Sequence, residues 1–427
     1  MKKKRVLVYP CGTEIGLEIY KALCNSMYYE LWGGGSTKDH GSFVYKNYIE
    51  DLPFITDFSS ENEIRQFNSQ ISKYGFDFIY PAMDGVITVM SKYRDVLSPT
   101  LIAPDFTTNE ITRSKKKTYQ LLENVIPVPH VYNDGEIVER YPVFMKPDKG
   151  QGSQGTVLIT DEQMLINERK KGNDKLVLEY LPGEEYTVDC FTNLDKKLIF
   201  AKGRLRGRVK SGISMNTIYI DNPIFEKYAL LINNKLGFNG AWFFQLKRDV
   251  TGELKLLEVA SRLAGTSAIA RNIGVNLPLL TLEIFNGQRI DTVIPNSYYI
   301  ELDRALENNY HTDLTYSNVY IDFDDTVIID GKINVALIQY LYQCVNNKIK
   351  IILLTKHEGN IVEELKKYKL YQIFDDIINI KRNENKKDFI TSKDSIFIDD
   401  SFNERRIVKE FCNIPVFDTH MIECLMK

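Results

Sequence analysis

The chain is poor in cysteine and histidine and has no long apolar run. Its six cysteines (11, 24, 190, 344, 412 and 424) form no Cys-x-x-Cys pair, so reduced thiols are expected rather than a disulfide framework. Its five histidines have no metal-ligand spacing, which argues against a structural zinc site. No apolar stretch approaches ~18 residues, so no membrane span is expected. Residues 2–5 are basic, but the apolar run behind them is only residues 6–9 before Pro10. That is too short for a signal sequence, and a cytoplasmic location is the expectation. A net charge of −3 speaks against a nucleic-acid surface as the main business. Low-complexity segments and repeats are absent. What remains is 44% hydrophobic and 26% charged over 427 residues, enough for ordinary cores in two to four domains.

The densest chemical signal lies near the C-terminus. Val319, Tyr320 and Ile321 precede Asp322, Asp324 and Thr326, which reads as a buried strand with carboxylates where it ends. Residues 349–354 form a second apolar run ending at Thr355, and residues 396–398 a third ending at Asp399 and Asp400, with Lys386 and Lys387 before it. Active groups of open parallel sheets gather at the carboxyl ends of strands. One Asp-x-Asp alone would read as a solvated turn, whereas three strand ends in order read as a site. About 28 residues lie between Thr326 and Thr355, which leaves no room for a large cap.

Over roughly 317–427 this set resembles the haloacid dehalogenase (HAD) phosphohydrolase superfamily. The resemblance implies a Rossmannoid domain without a large cap, acting on a phosphomonoester. It makes Asp322 the nucleophile and Asp324 the acid and base, with Thr355 and Lys386 (or Lys387) holding phosphoryl oxygens. Its magnesium set is drawn from Asp322, Asp324, Asp399 and Asp400.

At the other end, residues 5–9 read as a strand, Cys11-Gly12-Thr13-Glu14-Ile15-Gly16 as a turn, and Leu17, Ile19, Tyr20 and Leu23 as a helix face. This opening lacks the three-glycine fingerprint and an acidic residue closing a second strand, so nicotinamide binding is set aside. Residues 76–80 give another strand, and 1–108 reads as a small α/β domain. Residues 110–124 read as one amphipathic helix stopped by Pro127 and Pro129. Strands dominate from 142 to about 290. Residues 287–316 form a polar connection with an unassigned piece at 299–306.

The middle segment carries a second chemistry. Strand 143–147 bears Lys146, and Lys149-Gly150-Gln151-Gly152-Ser153-Gln154-Gly155 follows. Glycines let backbone N–H groups wrap phosphate oxygens, although the loop lacks the Lys-Ser/Thr ending of a P-loop. Taken alone it could equally be a hairpin turn. Residues 176–189 read as strand, turn, strand, able to offer backbone hydrogen bonds to a base and a carboxylate to a ribose. Residues 202–210 place five cations in nine positions, a pattern expected to face an anion. Two apolar strands joined by Asp249-Val250-Thr251-Gly252 should set Gln245 near Glu258, oxygen ligands of the kind magnesium prefers.

Residues 1 to about 300 resemble the ATP-grasp superfamily, nearest the carbamoyl-phosphate-synthase large-subunit and pyrrolysine-synthesis ligase branches. The implied architecture is an α/β and α+β multidomain protein: a pre-ATP-grasp domain (1–108), an ATP-grasp domain (109–316) and the HAD-like domain (317–427). The implied cofactors are ATP and Mg2+. Lys115 and Lys146 would contact the nucleotide, and Gly152, Ser153, Gln154 and Gly155 the phosphates. Glu179 and Leu181 would form the adenine hinge, and Glu185 would hold the ribose. Arg204 and Arg206 would lie by the transferring phosphoryl group, Gln245 and Glu258 would hold magnesium, and Arg262 would match the arginine of Glu-x-Asn-Pro-Arg. The Asn and Pro of that signature are Ala260 and Ser261 here, which removes one metal ligand.

The expected function is an ATP-dependent carboxylate–amine ligase fused to a phosphatase, which could remove a phosphate from the ligated product or act on another intermediate. The substrates would be a small carboxylate, an amine and a phosphomonoester, with no nucleic acid and no membrane. Alternatives are a phosphotransferase, or a nucleotide-binding regulator with inert sites.

Overall fold

The apolar stretch at the start becomes the strand Lys4–Tyr9, the centre of a five-stranded parallel sheet ordered Asn47–Ile49, Tyr29–Gly34, Lys4–Tyr9, Phe78–Pro81, Thr100–Leu101. Val6, Leu7 and Val8 are fully buried, as expected of a strand covered on both faces. Thr13 caps the following helix, Glu14–Leu23, by accepting from the Gly16 N–H. Both that helix and Asp84–Lys92 begin where their preceding strands end, so their first turns stand at the carboxyl edge of the sheet.

This is a computed structural model, and it describes residues 2–150, 152, 154–172, 175–310 and 312–426. The chain divides into two compact units, 1–306 and 307–427. Segments 1–108 and 109–306 lie in the same unit, and its largest core mixes Val6, Ile15 and Ile19 with Phe191, Ala241 and Ile273.

The remainder of the first unit holds two antiparallel sheets. A four-stranded sheet runs Val131–Tyr132, Lys175–Glu179, Val143–Pro147, Val157–Ile159. A six-stranded sheet runs Leu254–Ala260, Gly240–Arg248, Glu185–Thr192, Leu198–Lys210, Ile213–Ile220, Glu301–Asp303. The last strand is the unassigned piece near 299–306, and it pairs Thr217 with Leu302 at the sheet edge.

The single helix expected at 110–124 is two helices, Phe106–Arg113 and Lys115–Leu122. Ser114 between them is extended and accepts from the Lys117 N–H, while its hydroxyl donates to Asp148 at 2.8 Å. A serine cap of this kind is worth ~1 kcal/mol, and it starts a new helix inside an unbroken amphipathic pattern.

The second unit is a five-stranded parallel sheet ordered Asp376–Asn379, Lys350–Thr355, Asn318–Ile321, Ser395–Ile398, Val416–Phe417. After Asn318–Ile321 comes only a small hairpin, Ile328–Ile329 with Lys332–Ile333. Its two-residue turn, Asp330-Gly331, has positive φ at both positions, the Asp-Gly signature of a tight primed turn.

Candidate active sites

In the first unit two adjoining cavities, of about 180 and 830 Å3, share Lys115, Gly152, Gln154, Arg206, Gln245 and Glu258 among their lining residues. Lys146, Glu179, Leu181 and Glu185 line the smaller one, and Arg204 and Arg262 the larger. The sequence-derived nucleotide residues therefore converge, with two exceptions. Gly155 is not in either lining, and Ser153 lies outside the described residues.

Antiparallel register sets the metal candidates. Gln245 and Glu258 are direct cross-strand partners, with a bulge after Gln245. Ala260 pairs with Phe243 one step along that face and offers no donor. These two oxygen groups would suit one firmly held magnesium, with the other positions left to phosphate and water. Arg262 is fixed in a bidentate pair with Asp84, at 2.7 and 2.6 Å. Burial pushes the Asp84 carboxyl up, but this guanidinium overrides it and holds the group below its usual range.

Lys146 is the most perturbed cation of the site. Burial lowers its pKa from 10.5 to about 8, with Glu258 and Glu185 opposing the shift. Its ammonium donates to the Tyr119 hydroxyl at 2.9 Å and the Leu257 carbonyl at 3.2 Å. The amine loses its proton in the folded protein as pH rises through about 8, so the affinity for Mg·ADP should fall between about pH 7 and pH 9. Over the same range the unfolded chain binds more protons than the folded one, so stability should rise. Calorimetric titration of Mg·ADP at stepped pH checks this. A Lys146→Met variant should show no break near pH 8, and a break surviving in that variant would remove Lys146 as its source.

Most cations of the basic strand have partners within the chain itself. Lys202 pairs with Asp221, Arg204 with Asp189, Arg206 with Glu185 and Arg208 with Asp303. Four of the five cations are thus met by the chain's own carboxylates. Arg204 is 2% exposed and also bonds Thr266, so it braces the cavity wall. Glu185, expected to hold a ribose, is committed to Arg206. Glu179 binds Lys255 through both oxygens at 2.7 Å. Lys247, Asp84 and Arg113 also line these cavities and Tyr119 accepts from Lys146, though none of the four was among the sequence-derived site residues. Arg113 pairs with Asp57 at 2.6 Å, and both partners come from distant segments with no local signal.

In the second unit, parallel register aligns three strand ends. Ile321 is paired with both Leu353 and Ile398, and the Asp322 N–H donates to the Ile398 carbonyl at 3.0 Å. Asp322 and Asp399 are therefore neighbours, both buried, with Thr355 buried nearby. Lys386 lies 2.7 Å from Asp322 Oδ1 and 2.6 Å from Asp399 Oδ2, whereas Lys387 pairs with Asp388. The choice between the two lysines thus falls on Lys386. Burial would lower its pKa, but the two aspartates raise it. Burial also drives Asp322 upward and Asp399 to about 7, with Lys386 opposing both.

Carboxylate oxygens of Asp322, Asp399 and Asp400 lie within 4.8 Å of one another, an oxygen-rich set that fits magnesium. The Asp324 carboxylate is outside that group, which corrects its place among the side-chain ligands. It is 53% exposed and lies 3.0 Å from His357 Nδ1. Asp400 accepts from the Thr326 hydroxyl at 3.3 Å and donates its N–H back to it at 3.0 Å.

The sheets and clamp of the first unit define an ATP-grasp fold. Residues 171–305 match the family described as "ATP-grasp in the biosynthetic pathway with Ter operon". A D-alanine–D-alanine ligase of Fusobacterium nucleatum subsp. nucleatum is 32% identical over 95 residues, 22% of this chain, and the chain covers 33% of that relative's length. The biotin carboxylase domain of Hydrogenobacter thermophilus 2-oxoglutarate carboxylase, solved with MgADP, ADP and bicarbonate, superposes with a TM-score of 0.57 at 16% identity, covering 70% of this chain and 74% of that one. The L-amino acid ligase of Bacillus licheniformis gives 0.53 at 18% identity, covering 66% and 73%. At these identities the likeness establishes the fold. Among the described residues no helix is long and apolar enough to cross a membrane.

Proposed function

We propose that the chain joins two activities: an ATP-dependent carboxylate–amine ligase in residues 1–306 and a magnesium-dependent HAD-like phosphomonoesterase in residues 307–427. The observation carrying the ligase reading is the convergence of Lys115, Lys146, Gln245 and Glu258 on one pair of adjoining cavities within an ATP-grasp fold. Lys115 and Lys146 meet phosphate oxygens, and the wall built on Leu178–Leu181 receives the base. The carboxylate substrate attacks the terminal phosphorus of ATP, ADP leaves, and an amine then displaces phosphate from the acyl phosphate. Catalysis of this kind is largely positioning and charge neutralisation. Gln245 and Glu258 would hold magnesium, which would supply part of that neutralisation.

The phosphatase reading is supported by the Asp322, Lys386 and Asp399 cluster at aligned strand ends. The Asp322 carboxylate attacks phosphorus, Asp324 gives a proton to the departing alcohol, and Asp324 then takes a proton from the water that hydrolyses the aspartyl phosphate. Lys386 stays cationic between its two aspartates and meets the incoming phosphoryl charge. Asp322, Asp399 and Asp400 would hold magnesium, which would add to that charge compensation.

Incubation with ATP, magnesium and pooled carboxylates and amines, read by mass spectrometry, tests the proposal. A ligase consumes an amine and makes an amide. Phosphorylation of a hydroxyl with no amide formed would replace this reading with a phosphotransferase, and no nucleotide turnover at all with a regulator.

The missing donor at Ala260 gives a separate expectation. Ala260→Asn should lower the magnesium concentration for half-maximal ligase rate, because an amide oxygen then stands beside Glu258. Ala260 is largely buried beside Phe243 and Ala264, so thermal melting should accompany the magnesium titration. An unchanged magnesium demand in a folded variant would reject the one-metal reading.

A further inference from the structure

At the wall of the larger cavity stands an ion pair from opposite ends of the first unit. Glu14 opens the helix Glu14–Leu23. Arg304 directly follows the edge strand Glu301–Asp303, and its N–H donates to the Met215 carbonyl at 2.7 Å, so its backbone is held in the sheet. Arg304 Nη1 donates to Glu14 Oε2 at 3.1 Å, and Nη2 to the Gly265 carbonyl at 2.6 Å. Both side chains line the cavity. A Cβ on Gly265 would come 2.7 Å from Glu14 Oε2 and 3.6 Å from Arg304 Nη1, so glycine there leaves the pair room.

This pair differs from three arginine–carboxylate pairs whose arginines also line that cavity. Arg262 grips both oxygens of Asp84 at 2.7 and 2.6 Å. Arg204 and Asp189 are 2% and 5% exposed, and Arg113 reaches Asp57 at 2.6 Å. Those guanidiniums are spent on structure, since opening a buried bidentate pair strands a charge. Arg304 and Glu14 make a single contact at 3.1 Å and are 25% and 38% exposed. A half-exposed single contact contributes little, so a ligand can exchange it.

We propose that Glu14 and Arg304 together read a zwitterion: the ligase half, on the reading given above, takes a substrate carrying an ammonium and a carboxylate, as an α-amino acid does. The ammonium goes to Glu14 and the carboxylate to Arg304. Such a ligand trades one weak pair for two charge-assisted ones and leaves neither side chain unpaired. A simple carboxylate makes only the Arg304 contact and a simple amine only the Glu14 contact, so each gives up one of the two charge-assisted bonds. The segment after residue 300 thereby belongs to the substrate site and is more than a tether.

Calorimetry on the full chain with saturating Mg·ADP tests this, using the L- and D-forms of the common amino acids as probes. At least one should bind, and its decarboxylated amine and its deamino acid should each bind about tenfold or more weaker. That series needs no variant. Arg304→Gln and Glu14→Gln should each weaken amino-acid binding by a similar factor, with the affinity for Mg·ADP unchanged as evidence of folding. The double swap Glu14→Arg with Arg304→Glu keeps an ion pair, so a purely structural pair would tolerate it, whereas a reading pair should lose the amino acid. Equal binding of the deamino acid, no binding by any amino acid, or tolerance of the swap overturns the proposal. Arg304-dependent binding without amide formation would instead sink the ligase reading and leave this one standing. Amide formation from partners that are not zwitterions would do the reverse.

Discussion

Asp322→Asn should abolish phosphate release from a phosphomonoester such as p-nitrophenyl phosphate, by about 10³-fold or more, while ATP-dependent turnover continues. The carboxylate is buried at a strand end fixed by register on both sides, and an amide of nearly the same shape is a poor nucleophile. Folding should survive. Lys386 keeps Asp399 as a partner at 2.6 Å, so the substitution leaves no unpaired buried cation, the outcome that makes broken buried pairs costly. Asp324→Asn should differ in kind, slowing both formation and breakdown of the aspartyl phosphate, because one carboxyl serves as acid and then as base. Trapping of phosphate on the protein, read by intact mass, separates the two. Full phosphatase activity in purified Asp322→Asn protein would overturn the nucleophile assignment.

Why these residues could be found in advance follows from strand chemistry. Val319, Tyr320 and Ile321 form an apolar run with a carboxylate behind it, and so do residues 396–398, so each strand end is visible within a few residues. Parallel register then brings Ile321 beside Leu353 and Ile398, so the side chains just past those strand ends meet. Gln245 and Glu258 were legible for a similar reason, since a short connection between two apolar strands leaves few registers open, and the one adopted pairs them directly.

What the sequence withheld is non-local. The basic run at 202–210 looks like an anion-binding face because its partners, Asp189, Glu185, Asp221 and Asp303, are scattered over more than a hundred residues. Composition cannot distinguish a cation waiting for phosphate from one already neutralised. Lys386 and Lys387 are adjacent and chemically identical, and only the short 3-10 turn Lys386–Phe389 sends the first inward and the second outward. Arg304 is paired with a glutamate 290 positions away, in a stretch that composition alone marks as a polar connection. The helix break at Ser114 was local but hidden, since the amphipathic pattern continues through it. Its cause is Asp148, which accepts from the Ser114 hydroxyl and the Lys116 N–H.

Glu258→Gln should reduce substrate-dependent ADP release by roughly 10²–10³-fold, the usual cost of losing a phosphoryl-stabilising group. The change is nearly isosteric, and Gln245 would remain opposite the new amide, so the sheet should hold. The loss has two physical parts. One is the anionic oxygen for magnesium. The other is the field at the cations around the cavity: the Glu258 charge raises the pKa of Lys115, Lys146 and Arg262, and in its absence burial acts on the lysines with less opposition. Lys146, already lowered to about 8, should drop further, so the pH break in Mg·ADP affinity should move to lower pH in the variant. Stability should change little near neutral pH, and phosphatase turnover should be untouched. ADP release and the pH dependence of Mg·ADP binding, measured on the same preparation, test both parts at once. Release at the starting rate would remove Glu258 as a magnesium ligand. A lost rate with an unmoved pH break would leave the metal role standing and show that Glu258 does not set the charge state of Lys146.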